Sequence, residues 1–251
     1  MYAYVHGDPI NLNDPDGLVA CGALVNQGTG QSVSSIMTTY NDLGYLAQTV
    51  WHESGPMYKG DISNDMPFVT EQAYIATALE NRYDIAHGTL TAYTVGGGTV
   101  DASAFGGSGT SLTDVILQAA GNNQSWGIYT NGQLGNMATL QNVLNTDTSV
   151  GTQVGLPSGG SVNTECFSVL SAVTEALEAQ DGLRTGPSGV ILTYWNLATN
   201  SSPAGGNTVT VPRIRTNGNT FYGYLSAPLP HPIRRIGPGL PPRGTAKSRV
   251  F

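Results

Sequence analysis

The chain is short of charge and short of the residues that assemble metal or nucleophile sites. Only 11% of its 251 residues are charged, against roughly 25% in an average globular domain. Ser, Thr, Asn and Gln must therefore wet most of the surface, and disorder of the highly charged kind is excluded. Cysteine is limited to Cys21 and Cys166, a pair with no metal-ligand spacing and no disulfide framework. One bridge in an oxidising compartment and two buried thiols both stay open. Histidine occurs only at positions 6, 52, 87 and 231. HExxH, CxxC, a Gly-Lys-Ser phosphate loop and a GxSxG elbow are all missing, so zinc chemistry, phosphate-loop chemistry and a serine-hydrolase triad lack their residues. No metal and no cofactor is expected. No run approaches the ~20 apolar residues of a membrane helix, and the first residues, MYAYVHGDPINLNDPDGL, have neither the basic nor the apolar region of a secretory leader. Membrane insertion and ordinary export are not expected.

Basic residues are missing from most of the chain. All seventeen acidic residues precede Gly182, and seven of the ten basic ones follow Val211. Residues 1–212 thus hold three basic and seventeen acidic residues, a net charge of −14. Such a body repels phosphate backbones and anionic lipid, so nucleic acid is not an expected partner. The Pro- and Gly-rich basic end, residues 227–251, is expected to be a solvated tail.

Glycine and proline are plentiful, 33 and 14 residues, and they punctuate the chain. Residues 1–18 are rich in turns, with Asp8-Pro9 and Asp14-Pro15-Asp16-Gly17. Residues 19–40 are small and polar and read as a linker. From Asn41 the pattern turns helical: Asn41 or Asp42 can cap, and Leu43, Leu46, Ala47 and Val50 recur at helical spacing until Gly55-Pro56. Further helices are expected over about 70–86, after the capping-box-like Ser111-Leu112-Thr113-Asp114, around 137–145 and over about 163–180. The strand signal is confined to GVILTYWNL and NTVTVPRIRTNGNTFYGYL near the end.

One motif carries chemistry. Extending the apolar stripe of the first helix lands on Glu53, in Trp51-His52-Glu53-Ser54-Gly55. A carboxyl on a buried face at the negative end of a helix has its ionised form disfavoured twice, and a carboxyl kept protonated can act as general acid in glycosidic cleavage. The alternatives are that Glu53 turns to water or pairs with Arg82. The run QSWGIYTNG, Gln124 to Gly132, reads as an exposed aromatic and polar loop, of the kind that stacks on sugar rings and bonds to hydroxyls. Trp126 could equally cover the helices. Tyr194, in the strand-like Tyr194-Trp195, is a weaker candidate of the same kind.

Two resemblances follow from these residues. Tyr2, Tyr4, Pro9, Ile10, Asn11, Asp14, Pro15, Gly17 and Leu18 match the closing motif of the Rhs-repeat core. The resemblance implies self-cleavage at this motif, with Asp14 and Leu18 in the cleavage site, a core shell formed by the parent chain, a toxin from Val19 onward, and a cognate immunity protein. Residues 43–224 resemble the cell wall hydrolases typified by spore-cortex-lytic enzymes. LAQTVWHESG places Glu53 on the catalytic glutamate; EQAYIATALENRY supplies Gln72, Ala73, Ala76, Asn81 and Arg82; VILQ with Gln124-Ser125-Trp126, GPSGVILTYWN and GNTFY follow in the family's order. The chain departs from the pattern in lacking the Arg and second Glu after Glu53, and in having Thr220 where the family has His.

The resemblances imply an α+β fold, a mainly α-helical lysozyme- or lytic-transglycosylase-like body with a small C-terminal β hairpin or sheet. They divide the chain into the Rhs motif (1–18), a linker (19–40), a catalytic domain (41–226) and a tail (227–251). They also imply a toxin delivered to a target-cell periplasm that cleaves peptidoglycan strands. Glu53 would be its acid and base, with Asn81, Gln124, Ser125, Trp126, Tyr129 and Tyr194 on the substrate. A second carboxylate, if one is used, would come from Glu71, Glu80, Asp61 or Asp65. A toxin with another target, a nuclease or a modifier of cytosolic proteins, and a non-catalytic glycan-binding module are the rival expectations.

Overall fold

The computed structural model describes residues 19–26, 28–62, 64–121, 129–156, 160–196 and 206–227. The Rhs-like segment with Asp14 and Leu18, the loop residues Gln124, Ser125 and Trp126, and the basic end from 228 lie outside these. The protein has an α+β fold. Its helices are α1 (Val33–Thr38), α2 (Asp42–Ser54), α3 (Lys59–Ile62), α4 (Met66–Ala86), α5 (Leu112–Gly121), α6 (Met137–Asn145) and α7 (Thr164–Gln180). Its strands are β1 (Tyr129–Thr130), β2 (Gln133–Leu134), β3 (Gln153–Gly155), β4 (Ser161–Asn163), β5 (Val190–Asn196), β6 (Val209–Val211) and β7 (Thr220–Leu225). β1 and β2 form one antiparallel hairpin, β3 and β4 another, and the last three strands form an antiparallel sheet in the order β5-β7-β6.

Local signals start these elements. The Asn41 side chain accepts the Gly44 N–H at 2.8 Å, opening α2. α4 begins four residues earlier than expected because Pro67 occupies its first turn, where a missing N–H costs nothing. The Ser111/Asp114 capping box forms, Ser111 N–H donating to Asp114 at 3.1 Å and Asp114 N–H to Ser111 at 3.0 Å. Asn163 caps α7 through Cys166 N–H at 2.8 Å.

Helices α2, α4 and α7 pack on one another and bury Leu46, Val50, Ile75, Leu79, Val169, Leu170 and Val173 in the main core. β5 is buried on both faces. Leu192 and Trp195 join this core, while Ile191 and Tyr194 face a second cluster with Ile85, Phe105, Tyr222 and Tyr224. A register shift between Leu192 and Tyr194 sets that division.

Residues 19–40, expected as a linker, belong to the body. Cys21, Val33, Ile36 and Met37 are buried in the main core, Cys21 N–H donates to the Thr146 carbonyl at 3.0 Å, and Thr148 N–H donates to that of Val19 at 3.0 Å. A disulfide joins Cys21 to Cys166 and closes the choice between bridge and thiols. The segment misled because its apolar residues are set singly among Ser, Thr and Gly, and its hold on the body comes from long-range contacts. Among the described residues, no helix is long and apolar enough to cross a membrane.

Candidate active site

The C-terminal turn of α2 is held from outside the helix. Backbone carbonyls there have no intrahelical partner and need donors. Asn219, just before β7, donates through Nδ2 to the Glu53 carbonyl at 2.9 Å. Arg215 donates through Nη2 to the Ser54 carbonyl and through Nη1 to that of Pro56 at 3.2 Å. Gly55 leaves the helix at φ 65°, a left-handed conformation that glycine adopts without strain.

Buried carboxylates balance Arg215. Glu71, fully buried on α4, accepts from Arg215 Nε at 2.6 Å and from the backbone and side-chain nitrogens of Asn219 at 3.0 and 2.7 Å. Asp61 accepts from Arg215 Nη1 at 2.9 Å and from Tyr58 N–H at 2.8 Å. The guanidinium also lies 4.8 Å from the Phe68 ring centre and 5.6 Å from that of Tyr58. Gln72 adds a third tie, donating to Ser54 Oγ at 3.1 Å and to the Ser168 carbonyl at 3.0 Å, with Ser171 donating to its carbonyl oxygen. Helix, loop and sheet are thereby locked at one point, directly behind Glu53.

The Glu53 side chain projects from this fixed end and is 18% exposed, rather than enclosed on the buried face that the apolar stripe predicted. Trp195, 4% exposed on β5, donates its indole N–H to Oε2 at 3.3 Å. His52 Nδ1 lies 3.3 Å from Oε1, and its Nε2 lies 2.8 Å from Asn136 Nδ2, just ahead of α6. Asn136 presents its amide N–H to Nε2, so Nε2 accepts, Nδ1 carries the imidazole proton and donates to Glu53. Tyr45, Thr49 and His52, spaced i, i+4, i+7, turn one face of α2 toward the β1–β2 hairpin. Tyr45 donates to the Gly132 carbonyl at 2.7 Å, and the Tyr129 hydroxyl lies 2.7 Å from Thr49 Oγ1. Asn131 and Gly132, at φ 53° and 76°, form the tight turn that a two-residue hairpin loop requires.

The expected substrate residues fall in different places. Asn81 is buried and donates to the Leu192 carbonyl at 3.0 Å, tying α4 to β5. Tyr194 is buried in the second cluster, its hydroxyl 3.3 Å from that of Tyr224. Tyr129 is half-buried on α2, donates to the Tyr45 carbonyl at 2.9 Å, and has its phenol pushed well up by burial. Arg82 does not pair with Glu53. It donates to the Thr193 carbonyl and stands 4.8 Å from the Tyr194 ring, and burial lowers it to about 10.

Of the four candidate second carboxylates, Asp61 and Glu71 are bound to Arg215. Glu80 lies 3.6 Å from Arg184 and is raised to about 7, mainly by burial, while Asp65 stands at the N-cap of α4. Sequence reasoning missed His52, Asn136, Trp195, Arg215 and Asn219. His52 was visible as Glu53's neighbour and Trp195 as the alternate residue to Tyr194 on a strand, where side chains point to opposite faces. Nothing local marks Arg215 or Asn136.

Among the described residues no group of three or more His, Cys, Asp or Glu side chains could hold a metal ion. Comparison with protein-family models, with curated proteins and with solved structures gave no match to this chain.

Proposed function

We propose that this protein cleaves the glycan strands of peptidoglycan, with Glu53 as general acid and then general base, on a lysozyme- or lytic-transglycosylase-like body. The observation that carries the reading is a single partly exposed carboxyl at a clamped helix end, with one oxygen on an indole N–H. Glu53 donates a proton to the glycosidic oxygen after N-acetylmuramic acid as the C1–O bond breaks. It then takes a proton from the C6 hydroxyl, whose oxygen closes on C1 to give the anhydro end. This route needs one carboxylate. The engagement of Asp61 and Glu71 with Arg215, and of Glu80 with Arg184, favours it over hydrolysis. The Rhs-like motif supports a toxin with an immunity partner, and the Cys21–Cys166 disulfide suits work in an oxidising periplasm.

Digestion of purified sacculi followed by mass spectrometry tests this, because anhydro and reducing muramic ends differ by one water. Glu53→Gln should lower the rate about 10²- to 10⁴-fold, the range of a general acid–base contribution. Muropeptide release at the wild-type rate by Glu53→Gln would refute the reading.

A further inference from the structure

We propose that Arg82 is a positioning residue for the reaction and acts on Glu53 through the Trp195 ring: the guanidinium polarises the indole, whose strengthened N–H steadies the charge left on Glu53 when its proton departs. The inference rests on the glycan-cleaving reading above. Three observations carry it. The Arg82 guanidinium, 2% exposed on α4, lies over the Trp195 ring at 5.4 Å from its centre, with the rings of Tyr194 and Phe105 at 4.8 and 5.9 Å. Trp195 Nε1 donates to Glu53 Oε2 at 3.3 Å. Arg82 Nε donates to the Thr193 carbonyl, which fixes the guanidinium to the strand that carries Trp195.

A cation within about 6 Å of an aromatic face is held by the ring's electrons, most strongly on Trp and in a site closed to water. Electrons drawn toward the cation leave the indole N–H a stronger donor, because linked polar groups polarise one another where the dielectric is low. Burial lowers Arg82 to about 10, so the guanidinium is still charged at neutral pH. Burying that charge costs stability that an apolar side chain of similar volume would not, and its contact with Trp195 gives the charge a use at Glu53. An indole only donates, so Trp195 takes no part in moving the proton. It meets the charge instead. As the C1–O bond breaks, the Glu53 proton passes to the glycosidic oxygen and one negative charge stays on the carboxyl, shared by the oxygen that faces Trp195. A donor already in place there lowers the barrier to that step.

Arg82→Gln keeps a donor for the Thr193 carbonyl and removes the charge, while Arg82→Lys keeps the charge. On purified sacculi, kcat of Arg82→Gln should fall about tenfold with KM nearly unchanged, the size of a desolvated cation–π contact, and Arg82→Lys should recover most of that loss. Trp195→Phe, which keeps a ring and lacks the N–H, should fall about 10²-fold, as when one preorganised donor is removed. In the Trp195→Phe background, Arg82→Gln should cost little more, because residues that act through one another do not add. Equal kcat for Arg82→Lys and Arg82→Gln, or the same loss repeated in the Trp195→Phe background, would overturn the relay; with Glu53→Gln inactive, the glycan-cleaving reading would still stand. Thermal melting shows which variants are folded. In isotope-labelled protein the Trp195 indole N–H resonance, assigned by its loss in Trp195→Phe, should move in Glu53→Gln; a resonance that stays in place overturns the relay whether or not the Arg82 variants fold. An active Glu53→Gln would overturn the glycan-cleaving reading itself.

Discussion

Reducing the Cys21–Cys166 bond should bring the protein close to the edge of stability. The bond closes a loop with a sequence separation of 145. In the chain-entropy description a loop of that length restrains the unfolded chain by about 5 kcal/mol at 25 °C, while whole domains are stable by only about 5–15 kcal/mol. The bond also fixes residues 19–38, which bury Val33, Ile36 and Met37 against the body. The clean comparison is the same chain oxidised and reduced, since both sulfurs then stay in place. Urea unfolding followed by circular dichroism should show the midpoint falling by about 2.5 M for a slope near 2 kcal/mol/M, and the melting temperature by about 10–20 °C. The double variant Cys21→Ser/Cys166→Ser should fall at least as far. Superimposable unfolding curves for the oxidised and reduced protein would refute the reasoning, because the crosslink would then restrain nothing that the unfolded chain samples.

Arg215→Met should destabilise the protein by about 3–5 kcal/mol, the cost of leaving one partner of a buried ion pair unmatched. Urea midpoints should show the double variant Arg215→Met/Glu71→Gln losing less than the two single variants summed; a loss below about 1 kcal/mol for Arg215→Met would show that Glu71 is not sealed from water. Gly218→Ala should lower both the melting temperature and the rate on sacculi, since an added Cβ would fall within 3.0 Å of the Glu71 carboxylate and of Arg215 Cγ, and such overpacking costs about 1–3 kcal/mol. Glu175, buried on α7, is raised to about 8 by burial and then by neighbouring Glu178. A raised folded value means that stability is full below the unfolded value near 4.5 and is lost as pH climbs through 8. Melting curves from pH 4 to 9 should therefore show the wild type losing on the order of a few kcal/mol relative to Glu175→Gln toward the alkaline end, and parallel curves would contradict a buried carboxyl there.

The helices were legible because their signals are local: caps at Asn41 and Asn163, the box at Ser111 and Asp114, apolar residues at helical spacing. Glu53 was legible for the same reason, as the residue on which a short periodic pattern ends. What surrounds it was not, because each contact crosses a large gap in sequence. Trp195 is 142 residues from Glu53, and Asn219 is 148 from Glu71. Side-chain chemistry gave a misleading lead for Tyr194 and Asn81. Both residue types suit a sugar, but a strand buried on both faces turned Tyr194 into the second cluster, and the Leu192 carbonyl on β5 took Asn81. The linker reading of 19–40 failed on the same ground. Composition reports what a segment prefers alone, and a disulfide with a handful of buried side chains overrides that preference.

The charge asymmetry also changes meaning once the chain is folded. Cutting at residue 212 gives a body of −14, a poor match for a partly anionic wall polymer, yet Arg213 and Arg215 fall just beyond that cut and Arg215 closes back onto Glu71 and Asp61. Residues 19–227 hold fourteen acidic and five basic residues, a formal net of −9, and the other three acidic residues stand in the segment 1–18. The remaining negative charge is not centred on Glu53. α4 and α7 run in the same direction, because Gln72 meets Ser168 and Ser171 near their starts while Arg184 joins Asp84 and the Ala179 carbonyl near their ends. Glu80, Asp84, Glu178 and Asp181 therefore gather roughly 15 Å along these helices from the clamp, at 1.5 Å rise per residue. At that distance, about two Debye lengths at physiological salt, they are screened from the helix end that carries Glu53. The carboxylates beside the clamp already have Arg215 as counter-ion. On the proposed reading, a sugar polymer would reach Glu53 at a site where Asp61 and Glu71 are already matched by Arg215.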